Sequence, residues 1–199
     1  MCIRDSNRIV RLLEVERRVA GGDRVVVLSG PYEHHSNILP WRESGARVVE
    51  IAEAECGGVD LASLDEALEE ASGADLIIGS FSAASNVTGI VTDVDTVTRR
   101  LKTAGALAIW DYAAGAPYLP MDMGDGAAAK DAIVLSPHKF PGGPGASGIM
   151  VVRDSIVRRT TPTLPGGGTV SFVSPWGHAY SARVEAVSYT HLTLPTKRI

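Results

Sequence analysis

Cysteine is almost missing from this chain. Cys2 and Cys56 are the two present in 199 residues, and so wide a spacing makes neither a disulfide framework nor a metal site. A reducing cytoplasm is the compartment to expect. No apolar run approaches the roughly 18 residues a membrane span needs, so no membrane partner is expected. Positive charge does not cluster. Nineteen Lys and Arg stand against 23 Asp and Glu, for a formal net charge of −4, and that balance offers nothing to a nucleic-acid backbone. No internal repeat and no low-complexity tract breaks the chain. What is present is ordinary globular composition, 45% hydrophobic and 21% charged, enough for one domain with a real core.

The two ends read as foreign. Residues 1–6, "MCIRDS", can be encoded ATG TGT ATA AGA GAC AGC. The reverse complement of that string translates in one frame as Val-Ser-Tyr-Thr-His, which is Val187 to His191. Ends that encode one inverted sequence resemble a sequencing-library adaptor read through as protein, and such scars are set aside in fold reasoning. Coincidence is the alternative. Residues 1–6 and 187–199 are therefore expected to be scar. Residues 7–186 are expected to be natural sequence, a partial domain cut at both ends.

Periodicity predicts a helix over Asn7–Ala20, stopped by Gly21-Gly22. Arg24–Ser29, Ala46–Ala52, Asp75–Phe81, Leu107–Trp110, Ala132–Leu135 and Gly148–Val152 read as strands. Helices are expected from Asp60 or Ser63 through Glu70, with Ser63 and Glu66 spaced as a capping box, and over Asp93–Lys102. "GPYEHHSNILPW" reads as a loop turning into a short helix. Strands and helices alternate and the strands are nearly all apolar. That predicts an α/β fold, a mostly parallel sheet sandwiched by helices. The last two strands are joined without a helix, so one of them can run antiparallel. In open sheets of this kind ligands sit beyond the carboxyl ends of the strands, and polar residues gather there: His34, then Ser85 and Asn86, then Asp111, then Ser136, His138 and Lys139.

Each of these residues has two readings. A lysine at the exit of a buried strand loses hydration and becomes a nucleophile able to form Schiff bases with carbonyl compounds; or Lys139 is a surface lysine in a turn rich in Gly142, Gly143, Gly145 and Gly148. The segment lacks the Gly-Lys-Ser/Thr ending of a nucleotide-binding loop. Asp111 can pair with a ring nitrogen and keep it protonated, or cap a turn. His34 or His35 can stack or shuttle protons, or be a hydrogen-bonded loop residue. The two are adjacent, so they do not share a helical face as zinc ligands would. Asn86 can bind, or shape a turn. Cys56 reads as structural or exposed, and no metal is expected.

Taken together and in order, "EHHSNILPW", "SNVTG", "IWDYAAGAP" and "SPHKFPGGPGASG" resemble the class V aminotransferase family. These are fold type I pyridoxal-5′-phosphate enzymes that include cysteine desulfurases and selenocysteine lyases. The resemblance implies a PLP-binding large domain, incomplete here, from an enzyme acting on an amino acid through a lysine Schiff base. It implies that Lys139 holds the cofactor and carries protons, and that Asp111 pairs with the pyridinium nitrogen. It implies that His34 stacks on the ring, that Asn86 meets the phenolic oxygen, and that Ser136 and His138 bind the phosphate. "PGGGTVSF" is similar to a segment such enzymes present to a neighbouring subunit's site, with Thr169 near that phosphate, which implies a homodimer. Desulfurases usually carry glutamine where this chain has Ala114. The family's upstream Gly-Ser/Thr turn would precede Asn7. Its carboxylate-clamping arginine and a loop cysteine would follow Ala186. Desulfurase or lyase chemistry is the first expectation and transamination the second. A non-catalytic α/β ligand-binding domain is the third.

Overall fold

The computed structural model describes residues 3–182 and Glu185. Cys2 and the expected foreign tail, 187–199, lie outside the described residues. The chain divides into two compact units between Ile156 and Val157.

The first unit alternates strands and helices in chain order: α1 (Ile3–Leu12), α2 (Val15–Ala20), β1 (Val25–Ser29), α3 (His35–Glu43), β2 (Arg47–Glu50), α4 (Leu61–Glu70), β3 (Leu76–Ser82), α5 (Val94–Thr103), β4 (Leu107–Asp111), β5 (Ala132–Leu135) and β6 (Ile149–Val152). The strands form one sheet in the order β2-β1-β3-β4-β5-β6. Every pairing from β2 through β5 is parallel, and β6 returns antiparallel on β5. A parallel return needs a crossover, usually a helix. The glycine-rich link after Ser136 supplies none.

Strand alternation divides the core into two layers. Val26, Leu28, Ile77, Phe81, Ala108, Trp110 and Ile133 point to one face, where they join Leu64 and Leu68 of α4 and Val97 and Leu101 of α5. The intervening Val25, Val27 and Ile109 are equally buried and face the other way, where α2 meets β1 and α1 meets α3. Both faces are covered, which is why these strands read as unbroken apolar runs. The interior tryptophans keep their indole N–H groups satisfied: Trp110 donates to Thr98 Oγ1 at 2.9 Å and Trp41 to Ser80 Oγ at 3.1 Å.

Three local readings change. The helix expected over Asn7–Ala20 is two helices, because Glu14 takes a left-handed conformation (φ 54°) between them. The first of these begins at Ile3, inside the stretch expected to be foreign. Asp60, not Ser63, caps α4 through Ala62 and Ser63, while the Ser63 hydroxyl accepts from the Ala52 backbone. In the second unit, β7 (Val170–Ser174) and β8 (Gly177–Tyr180) form an antiparallel hairpin that periodicity did not single out. Its signal is the two-residue Pro175-Trp176 turn between short β-rich runs. Elsewhere in this unit the Thr163 amide and hydroxyl both donate to Glu185 at 2.7 Å.

Gly79, in the middle of β3, lets α5 approach the sheet: a methyl group there would run into the fully buried side chain of Leu101. Gly79→Ala is expected to destabilise the unit by about 1–3 kcal/mol through overpacking, read as a lower urea midpoint with unchanged slope. Adding Leu101→Val should recover part of that loss.

Candidate functional site

The switch in strand order lies between β1 and β3, which run side by side although β2 separates them in sequence. Chains leave the sheet in opposite directions at such a point and open a crevice at the carboxyl ends. β1 ends at Ser29 and leads to His34; β3 ends at Ser82 and leads to Asn86. β4 ends on Asp111 itself, and β5 leads to Lys139. His34, Asn86, Asp111 and Lys139 line one cavity there, with Ser82 and Ala114. Four groups far apart in sequence thus converge. A cleft of about 470 Å³ adjoins it on the Lys139 side, lined among others by Ser85, Val91, Pro117 and Tyr118, a volume within the range of small-molecule sites.

Local structure fixes each group. The backbone of Pro137–Lys139 makes a 3-10 turn, closed by the Lys139 amide donating to the Ser136 carbonyl at 2.9 Å. Gly143 folds back over that turn so closely that a Cβ would strike the Pro137 carbonyl. The turn lifts Lys139 to the cavity rim, where it is exposed. The hydration loss expected of a lysine leaving a buried strand is therefore not present at this residue.

Asp111 is 4% exposed, and its Oδ1 accepts from the Ala113 backbone at 2.7 Å. The turn-capping reading of Asp111 thus holds alongside its place in the cavity. Burial raises its pKa, while the charges of Lys139 and His34 pull it back down. His34 is the N-cap of α3. Its Nδ1 accepts from the Ser36 amide at 3.1 Å, so the ring that caps is neutral, with its proton on Nε2. Burial lowers the His34 pKa, and the Lys139 charge lowers it further. The ring itself stays exposed. Asn86 is exposed on the cavity wall; the turn beside it is made by Ser85, whose Oγ accepts from the amides of Val87 and Thr88.

The remaining predicted residues are placed differently. Ser136 is wholly buried at the end of β5, and its Oγ has no hydrogen-bond partner among the described residues. His138 is exposed on the turn before Lys139. Thr169 belongs to the second unit, where its hydroxyl donates to the Gly166 carbonyl at 2.8 Å. His35 is exposed and does not line the cavity. Cys56 is exposed in a loop, no cluster of metal-ligating side chains occurs among the described residues, and no helix among them is long and apolar enough to cross a membrane. Sequence reasoning missed Ser82 and Glu33. Ser82 falls at the start of the polar loop expected after Phe81; in the structure it is the last residue of β3 and lines the cavity opposite Asp111 in the β3–β4 register. Glu33 carried a signal: a lone carboxylate directly before the paired histidines.

A family model described as aminotransferase class-V matches residues 6–194. A probable cysteine desulfurase of Pyrococcus abyssi is 30% identical over 165 residues, covering 81% of this chain and 39% of that protein. Another, from Aeropyrum pernix, is 35% identical over 160 residues, covering 77% of this chain and 36% of that protein. Among solved structures, the apo cysteine desulfurase from Thermococcus onnurineus NA1 has a TM-score of 0.73 at 24% identity, over 92% of this chain and 46% of that one; this likeness shows the fold. The chain spans less than half the length of the relatives it matches.

The cap gives His34 a structural duty separable from its ring face. His34→Ala should cost about 1 kcal/mol of stability, while His34→Asn, a good cap, should cost only a few tenths. Because the folded pKa of His34 lies below its ordinary 6.5, its contribution is fully present above pH 6.5 and is lost as pH falls through the lowered value. Thermal melts across that range should show this slope in the parent chain and not in His34→Asn.

Proposed function

Since the chain belongs to the class V aminotransferase family, we propose that its sheet-edge cavity holds pyridoxal 5′-phosphate and that the parent enzyme is a cysteine desulfurase or selenocysteine lyase acting on an amino acid. Class V aminotransferases and cysteine desulfurases use this cofactor. The observation that carries the reading is the meeting of Lys139, Asp111, His34 and Asn86 on one cavity.

The donor set fits the group. An amine, a buried carboxylate, a flat neutral ring and an amide correspond to an aldehyde, a protonated ring nitrogen, a ring face and a phenolic oxygen. The buried Ser136 hydroxyl, with no partner among the described residues, fits an acceptor as strong as phosphate. Bound pyridoxal phosphate supplies an electron-withdrawing ring that stabilises negative charge on the substrate's α-carbon. Lys139 Nζ would hold the group at its aldehyde carbon, the aldehyde oxygen leaving as water, and as a free amine it would carry a proton to or from the substrate's α-carbon. Asp111 would accept the ring nitrogen's proton in a charge-assisted hydrogen bond, which is strong where water is excluded. His34, held neutral by its cap, would lie on the ring face. Asn86 would donate to the phenolic oxygen. His138 would join Ser136 at the phosphate, and Thr169 would reach the phosphate of a second subunit in a homodimer.

Ala114 sustains transamination as the second reading. It lines the cavity with a methyl group where desulfurases usually present a glutamine amide, leaving Asn86 as the amide on that wall.

Adding pyridoxal phosphate to the purified chain should produce a visible absorption band that Lys139→Ala abolishes. Asp111→Asn should keep the band and weaken binding about 10- to 100-fold, the value of a hydrogen bond to a charged group. A band of unchanged intensity in Lys139→Ala would overturn the reading.

A further inference from the structure

Behind the cavity runs a line of polar groups with one direction. Trp41 Nε1 donates to Ser80 Oγ at 3.1 Å, and Ser80 Oγ donates to Asn37 Oδ1 at 2.7 Å. An indole N–H can only donate, which leaves the Ser80 hydroxyl proton for Asn37 Oδ1 and the Asn37 amide nitrogen for Glu33 Oε2. Two further donors reach the same carboxylate from the end of β3: the Ser82 amide to Oε1 at 2.6 Å and the Ser82 hydroxyl to Oε2 at 2.7 Å. Ser80 and Ser82 stand two apart on β3 and share one face of the strand. The chain is thus bound to that face on both sides of His34, before it through Glu33 and after it through Asn37.

His34 sits between these anchors. Its carbonyl accepts from the Asn37 amide at 2.7 Å, and its Nδ1 accepts from the Ser36 amide at 3.1 Å. The residue is exposed, so close packing contributes little to where its ring lies. The ring takes its bearing from the first turn of α3, and that turn takes its bearing from β3. The anchor also demands a carboxylate. Three donors meet on two oxygens, and an ionised carboxylate is acceptor-only. A glutamine amide offers one oxygen and one NH₂. With its nitrogen at the Oε1 position it would face the Ser82 backbone N–H, donor against donor. With its nitrogen at the Oε2 position it would face the Asn37 amide, whose orientation is set from Trp41. Either placement turns one bond into a repulsion.

We infer that Glu33 is a positioning residue: its carboxylate pins the loop before α3 to the end of β3, and this tie sets where the ring of His34 lies in the cavity it shares with Asp111 and Lys139. Glu33 does not itself line that cavity and acts through His34. The inference rests on the cofactor reading for what the ring faces, and on the hydrogen bonds alone for the tie.

Two measurements on the whole chain test it, both at about pH 8, where Glu33 is charged although burial raises its pKa to about 7. In the cofactor-free chain, Glu33→Gln should speed hydrogen exchange of the Ser36 and Asn37 amides about tenfold or more relative to the amides of β1. Unchanged exchange overturns the tie. With pyridoxal phosphate added, Glu33→Gln should weaken binding about tenfold in the parent chain and cause no further loss in a His34→Asn background, where the cap remains and the ring is gone. An equal loss in both backgrounds overturns positioning through His34 and leaves Glu33 a purely structural residue. If Glu33→Gln does not fold, Asn37→Ala removes one of the three donors and keeps the carboxylate. It should move the Ser36 amide and the binding in the same directions by smaller amounts, and no movement in either overturns the inference. Absence of a Lys139-dependent band would remove the cofactor reading, while the exchange result would still decide the tie. Unmoved exchange beside a normal band would do the reverse.

Discussion

A carboxylate drawn into the end of a buried parallel strand is the constraint on which the site depends. Asp111 closes β4 between Ser82 of β3 and Val134 of β5 and is buried there, and an ionised group so placed must be balanced from several directions. The backbone answers with the Ala113 amide, β5 sends Lys139 to the same cavity, and β1 sends His34. Each arrives from a different strand end, so the balance exists only when the sheet is paired in its observed order. In this chain, folding and the assembly of the charged cavity are one event.

This explains why some of the architecture was legible and some was not. The strands were legible because both faces of the sheet are covered, and double burial leaves continuous apolar runs such as Val25–Leu28. The antiparallel turn of β6 was legible from the missing crossover helix. The break at Glu14 was not: a non-glycine residue with positive φ leaves no mark in a hydrophobic period. The β7–β8 hairpin was not read because its strands are short and largely exposed, so neither periodicity nor burial marks them out.

In the site, sequence order gave more than residue chemistry did. Lys139, Asp111, His34 and Asn86 each had a bland alternative, and several alternatives turn out true beside the sharper placement: Asp111 does cap a turn, and His34 does cap a helix. The expected hydration loss at Lys139 fails for a geometric reason. A 3-10 turn and the tight return at Gly143 raise the lysine above the strand end instead of leaving it within. Glu33 and Ser82 escaped notice because their role is defined by what lies across the sheet, and a one-dimensional pattern does not carry the β3–β4 register.

The dual use of His34 has a consequence for how the site is built. An imidazole that accepts a backbone amide at Nδ1 cannot also be protonated there, so the cap holds the ring neutral beside Lys139. A charged ring would compete with Lys139 for the field of Asp111. A neutral one leaves that field to the amine and to whatever cation meets the carboxylate. The first turn of α3 thereby sets the electrostatics of the cavity as well as the entry of the chain, and the same loop carries Glu33, which accepts from the Ser82 amide and hydroxyl and ties the loop to the end of β3. One short segment, Glu33 to Asn37, thus links helix initiation to the charge balance at the end of β4.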